Sequence, residues 1–192
     1  MKKLSGSQKW LIGIGVILVL LVLWFAGSYN GLVRSDETVN EKWANVQTAY
    51  QRRADLIPNL VEVVKQYAEH EESIFIAVTE ARSAMMSAKT PAQLQSADNQ
   101  LTSTLKTLFA VAENYPNLKA NENFLSLQDE LAGTENRIKT ERDIYNGAVK
   151  DMNVKVRRFP TNIVANMFGF DLKESFESNP GSENVVDVKG LF

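Results

Sequence analysis

The stretch FLSLQDELAGTENRIKTERDIYNGAVKDMNVKVRRF, residues 124–159, decides the fold. Phe124, Leu127, Leu131, Ile138, Tyr145, Val149, Met152, Val156 and Phe159 recur at steps of three, four or seven. That spacing places them on one stripe of an α-helix and on neither face of a strand, whose period is two. It predicts a helix of about 38 residues, near 57 Å at about 1.5 Å per residue. Pro160 ends it, and a short helical turn to Met167, closed by Gly169, is expected to follow.

A long amphipathic helix must bury its stripe against others, and upstream the chain supplies them. Thr90-Pro91-Ala92-Gln93 combines a capping threonine, proline at the first helical position and glutamine three residues after the cap. The helix that starts at Pro91 carries Leu94, Ala97, Leu101, Leu105, Leu108 and Ala112 on its inner face. It stops at the turn Asn114-Tyr115-Pro116-Asn117, because a residue before proline is driven out of helical geometry. Val39, Trp43, Val46 and Tyr50 mark a first soluble helix. Leu60, Val63, Val64, Tyr67, Ile74 and Val78 continue the period after Pro58, with Asp55 a candidate N-cap. If the chain reverses near Pro58, four helices form an up-down-up-down bundle; if it only kinks, a very long first helix packs against two others. Four helices are preferred. The expected class is all-α: one N-terminal transmembrane helix followed by an antiparallel up-and-down bundle of long helices.

The membrane segment is read from charge. Trp10 to Val33 contains no charged side chain, and Leu11 to Ala26 consists only of Leu, Ile, Val, Trp, Phe, Gly and Ala. Residues 10–28 taken as helix come close to the roughly 30 Å hydrocarbon thickness of a bilayer. Trp10 and Tyr29 stand at its ends, where amphipathic rings favour the interface. A cleaved signal peptide is the rival reading, given the basic start Lys2-Lys3 and the small residues Ala26-Gly27-Ser28, but the apolar run exceeds the roughly 7–15 residues of a signal core. Lys2, Lys3 and Lys9 before the span against Arg34 and Lys42 after it favour a cytoplasmic N-terminus and an extracytoplasmic bundle. The expected organisation is therefore a basic segment at 1–9, the span at 10–28, the bundle at 29–176, and a linker with an extended apolar tail at 177–192.

Composition narrows the chemistry. The 192 residues hold 21 Lys plus Arg against 23 Asp plus Glu, a formal charge of -2, which gives nucleic acid nothing to bind; it is not an expected partner. The absence of cysteine excludes disulfides, thiol catalysis and thiolate zinc sites. His70, the one histidine, lies in Tyr67-Ala68-Glu69-His70-Glu71, without the Glu-x-x-His or His-Glu-x-x-His spacing that brings metal ligands to one helical face. No phosphate loop or serine elbow occurs either. No catalytic residue, no metal ligand and no cofactor is expected. Arg52, Arg53 and Asp55, and the group Glu130, Glu135, Arg137, Glu141 and Arg142, read as solvated helix faces in preference to inter-helical ion pairs. The end Leu191-Phe192 with its carboxylate suits strand addition to a sheet edge, though an unstructured terminus is the favoured reading.

These residues carry a resemblance. Tyr29-Asn30 after the span, Arg53-x-Asp55-Leu56-Ile57-Pro58-Asn59-Leu60-Val61, Tyr67-Ala68-x-His70-Glu71, Ala81-Arg82, Glu113-x-Tyr115-Pro116-x-Leu118-Lys119, Thr134-Glu135-Asn136-x-Ile138, Arg142-x-x-Tyr145-Asn146 and Phe159-Pro160 resemble the LemA family of bacterial membrane-anchored proteins. Met152-Asn153 departs from the Tyr-Asn that the family often repeats there. The resemblance implies an antiparallel helical bundle behind one membrane helix and supplies no catalytic residues. It also implies an N-terminus outside the cell, against the charge count, which is retained here.

The expectation is a non-enzymatic scaffold or adaptor in the bacterial inner membrane. Its partners would be the bilayer, membrane or envelope proteins and a second copy of the chain. Candidate interaction residues are Arg53, Asp55, Pro58, Asn59, His70, Glu71, Arg82, Tyr115, Pro116, Leu191 and Phe192. The alternatives are a metal-dependent or enzymatic bundle centred on His70 and its carboxylates, and an oligomer that senses or organises the bilayer.

Overall fold

A computed structural model describes residues 6–177, and among these it is all-α. The helices are α1 (Gly6–Lys65), α2 (Glu72–Ser87), α3 (Pro91–Ala112), α4 (Pro116–Lys119), α5 (Glu122–Arg157) and α6 (Thr161–Phe168). The chain divides into two compact units. One holds the described residues of Met1–Ala44 with Gly147–Lys173, the other those of Asn45–Asn146 with Glu174–Phe192. Leu191 and Phe192 lie outside the described residues.

The second unit is the bundle. The Lys65 ammonium lies 5.5 Å from the Phe75 ring centroid, and Arg82 reaches Ala54, so α2 runs antiparallel to α1. Arg53 meets Asp98, and beyond the helix ends Tyr67 meets Asn121, so α3 returns alongside α1. Phe109 stacks edge-on against Phe124 at 6.0 Å while Glu135 approaches Arg53, so α5 descends again. Up-down-up-down topology results. Ile57 and Leu60 of α1, Val78 of α2, Leu101 and Leu108 of α3 and Ile138 of α5 are buried in it. Each such aliphatic side chain removed from water is worth about 1.5–3 kcal/mol.

The reversal between the first two bundle helices falls at residues 66–71, after Lys65, and not at Pro58, which sits inside α1. A proline within a helix has no N–H for the carbonyl four residues back, here that of Ala54. The Arg82 Nε–H fills that place, donating to the Ala54 carbonyl at 2.8 Å. With the orphaned acceptor satisfied, the helix continues through the proline. Asp55 is accordingly not an N-cap: it lies within α1 and accepts a bond from Gln51 Nε2 at 2.8 Å. Tyr67, read from periodicity as helical, falls in the turn, beside the buried Ala68.

Other boundaries follow the sequence signals. Thr90 caps α3 by accepting from the Gln93 N–H, and Gln93 Oε1 accepts from the Lys89 N–H at 3.0 Å. Pro116 opens α4, and the Asn121 carboxamide accepts from the Phe124 N–H at the start of α5. α5 ends at Arg157, and Gly169 closes α6 in the left-handed region with φ 71°.

The first unit contains the apolar start of α1, the end of α5, and α6. α1 is long and apolar enough to cross a membrane, with mean hydropathy 2.6 over its best 18-residue window, none of it buried. The Phe168 ring of α6 packs tilted against Tyr29 at 4.8 Å and lies 5.8 Å from Phe25, while Phe170 meets Tyr29 edge-on at 6.0 Å. Lys173 pairs with Asp36 at 2.5 Å. Asn153 holds the Lys173 peptide by both its oxygen and its amide nitrogen, at 2.8 and 2.9 Å.

Candidate interaction surface

Three polar groupings of the bundle have distinct chemistry, and the first is sealed. Arg53, 3% exposed, donates from Nη1 to Asp98 Oδ1 at 2.7 Å and from Nη2 to the Thr102 hydroxyl at 3.1 Å, with the Glu135 carboxylate 3.9 Å away. The Tyr50 hydroxyl donates to the other Asp98 oxygen at 3.4 Å. Burial pushes the Asp98 carboxyl above its ordinary range, opposed by Arg53 and Arg142 and by the Tyr50 bond. Burial, with Asp98 beside it, pushes the Tyr50 hydroxyl up as well. The cluster joins α1, α3 and α5 and has no access for a ligand. Arg53 is thus an interior ion pair and not a solvated face, and it presents nothing outward.

The second grouping clamps an extended segment. The Asn146 carboxamide accepts from the Phe176 N–H at 2.9 Å and donates to the Phe176 carbonyl at 3.1 Å. The Gln95 carboxamide does the same to Glu177, at 3.1 and 3.4 Å. Tyr145 Oη donates to the Glu174 carbonyl at 2.9 Å, and the Phe176 ring meets Tyr145 edge-on at 5.6 Å with the Arg142 guanidinium 4.6 Å from its centroid. Side-chain amides of two helices thereby give residues 174–177 the pairing that a neighbouring strand would give.

The third is open. Asn45, Thr48, Ala49 and Arg52 of α1 face Glu130, Gly133, Thr134, Arg137 and Glu141 of α5 across a groove of about 670 Å³. Ala49, Gly133 and Thr134 are its small lining residues, and the guanidinium groups of Arg52 and Arg137 and the carboxylates of Glu130 and Glu141 line it as well. Arg137 donates to Glu141 at 2.7 Å, so the exposed arginine holds a buried carboxylate. The groove presents hydrogen-bond donors and acceptors from both helices.

The remaining sequence candidates scatter. Trp10 is exposed at the start of α1, and Tyr29 packs on α6. Asp55, Pro58 and Asn59 are exposed on α1, and Arg82 is spent on the Ala54 carbonyl. His70 is exposed in the turn at 66–71. Glu71 precedes α2 and accepts from Tyr115 Oη at 3.4 Å, while Pro116 starts α4, so Glu71 and Tyr115 meet at the end of the bundle where α1 stops. Among the described residues no three His, Asp or Glu side chains converge as a metal site. Asp98, Thr102 and Gln95 were not singled out from sequence, and Asn146 only as part of the Tyr145-Asn146 motif. The signal for Asp98 was available: it falls between Leu94 and Leu101 on the apolar face of α3, where a carboxylate requires a partner.

The chain is 28% identical over 207 residues to magnetosome protein MamQ 2 of Paramagnetospirillum magneticum, covering 92% of this chain and 76% of that protein. Magnetosome protein MamQ of Magnetospirillum gryphiswaldense is 24% identical, covering 97% and 79%. Protein LemA of Metamycoplasma hominis is 25% identical, covering 97% and 87%. Residues 42–189, most of the bundle and its C-terminal extension, match the LemA family. Together with the all-helical fold and an N-terminal helix apolar enough to cross a membrane, this makes the chain a member of the LemA family.

Proposed function

We propose that the chain is a non-enzymatic scaffold, held in the bacterial inner membrane by residues 10–28 with its N-terminus cytoplasmic, whose bundle docks membrane or envelope proteins. The observation that carries this reading is the contrast between the sealed Arg53–Asp98 cluster and the open α1–α5 groove. The Arg53–Asp98 ion pair is consumed in packing, while the groove between α1 and α5 leaves polar and charged side chains accessible. Two relatives are named for the magnetosome and for no reaction, which suits a role in assembly.

A photo-reactive amino acid placed at Arg52 or Gly133 in intact cells is expected to form adducts with a defined set of membrane or envelope proteins. The same group at Glu80, exposed on α2, serves as the control. Equal adducts from all three positions, or none from the groove, would overturn the reading. The orientation has its own check. The chain contains no cysteine, so a single Glu80→Cys variant should react with a membrane-impermeant maleimide from the outer side of the inner membrane. Protection there, with reaction only after lysis, reverses it.

A further inference from the structure

α6, Thr161–Phe168, carries the apolar side chains Ile163, Val164, Ala165, Met167 and Phe168, with Asn162 and Asn166 on its remaining side. Val164 and Ala165 are buried, yet Ile163 and Met167, one turn apart, are 50% and 64% exposed, and Phe168 is 49% exposed. An apolar helix face is covered either by a protein interior or by lipid. Here only one side is covered. The rings of Phe168 and Phe170 fix α6 to Tyr29 and Phe25, which stand at the C-terminal end of the uncharged span. Gly169 makes this possible: its left-handed conformation turns the chain, the Phe170 N–H bonding back to the Ala165 carbonyl at 3.0 Å, so that the two phenylalanines grip one tyrosine. Ahead of the helix, Phe159 is 75% exposed, and Arg157 and Arg158 are exposed beside it.

We infer that α6 is a second membrane contact: an interfacial helix whose Ile163, Met167 and Phe168 enter the acyl-chain boundary, with Phe159, while Arg157 and Arg158 meet anionic headgroups. The inference rests on the reading of residues 10–28 as a span. The occupant is lipid because the uncovered face is continuous with the span's own lipid-facing surface through the Phe25–Phe168–Tyr29 stack. A half-buried apolar helix flanked by arginine is the composition that binds in the interface plane. The protein would thus hold the bilayer at a transmembrane helix and at a short helix lying beside its exit.

Single cysteines can be read without background in this chain. The full-length protein, carrying an environment-sensitive fluorophore at Ile17→Cys, Ile163→Cys, Met167→Cys or Ile144→Cys, is reconstituted in phosphatidylcholine–phosphatidylglycerol vesicles with or without brominated acyl chains. Probes at 163 and 167 are expected to be quenched by bromines near the headgroups and shielded from aqueous iodide. The probe at 17 should respond to bromines deep in the chains, and the one at 144, on the bundle, to iodide alone. Iodide quenching at 163 and 167 with a lipid-embedded probe at 17 overturns the inference and leaves the span intact. Probes at 163 and 167 that are shielded from both quenchers overturn it in favour of a protein partner or second copy. A probe at 17 in water overturns the span and this inference together.

Discussion

The Arg82 guanidinium on α2 donates to the Ala54 carbonyl on α1 at 2.8 Å, and this oxygen is the one Pro58 leaves without a helical donor. The proline and the arginine are therefore one device. Arg82→Met should strand a buried acceptor and cost about 1–3 kcal/mol. In a Pro58→Ala background, where the backbone N–H restored at position 58 can supply the missing bond, the cost of Arg82→Met should shrink. A double-mutant cycle on urea unfolding of the full chain in detergent measures this coupling, and additive costs would refute it.

Removing one member of the buried pair should hurt more than removing both. Arg53→Met leaves Asp98 without its cation and Asp98→Asn leaves the guanidinium without its anion, each for about 3–5 kcal/mol. Asp98→Asn should be the worse of the two, because an orphaned carboxyl can take up a proton whereas a guanidinium cannot shed one. Arg53→Met with Asp98→Leu should recover most of the loss, read from the same unfolding curves.

Burial raises the Asp98 carboxyl above its ordinary 3.8 despite Arg53 and Arg142. The folded state then holds that proton more tightly than the unfolded chain. Its contribution to stability is present below 3.8 and is lost as the pH rises through the folded-state value. Stability of the native chain minus that of the Arg53→Met/Asp98→Leu variant, plotted against pH, should fall across this window. A difference that rises instead would show that the Arg53 charge outweighs desolvation.

Asn146→Ala removes both bonds to the Phe176 peptide. Hydrogen exchange should accelerate at the Phe176 and Glu177 amides, with little change at Leu101 or Leu108 in the core. Global stability should drop by about 1–3 kcal/mol. Unchanged protection at Phe176 would mean that its ring, against Tyr145 and Arg142, suffices to hold the segment.

Helix boundaries marked by local chemistry were legible. Thr90 and Pro91 start α3, Pro116 starts α4, and the stripe from Phe124 matches α5, although its period runs on to Phe159 and the helix stops at Arg157 with Phe159 exposed. The first reversal was not, because residues 66–71 contain no glycine or proline and the punctuation in that region is Pro58, which Arg82 neutralises from another helix. In retrospect Glu69-His70-Glu71-Glu72, the longest polar run between Leu60 and Val78, marks the turn, and Glu72 suits the positive end of α2. The Arg53–Asp98 pair and the carboxamide clamps join residues far apart in sequence, which no periodicity reports. Tyr145-Asn146 was visible as a motif, but its target, the peptide of Phe176, was not.

The carboxamide clamp also says what can change over time at the C-terminal segment. Asn146 and Gln95 grip peptide groups, and Asn153 grips that of Lys173, so none of the three reads the side chain of the residue it holds. Position 177 is then free to drift through almost any residue but one, whereas the Lys173 side chain is also held by its pair with Asp36. Proline, lacking the N–H that each carboxamide oxygen captures, is the single substitution this grammar forbids. Position 176, where an aromatic ring sets the register, is spelled out by its side chain.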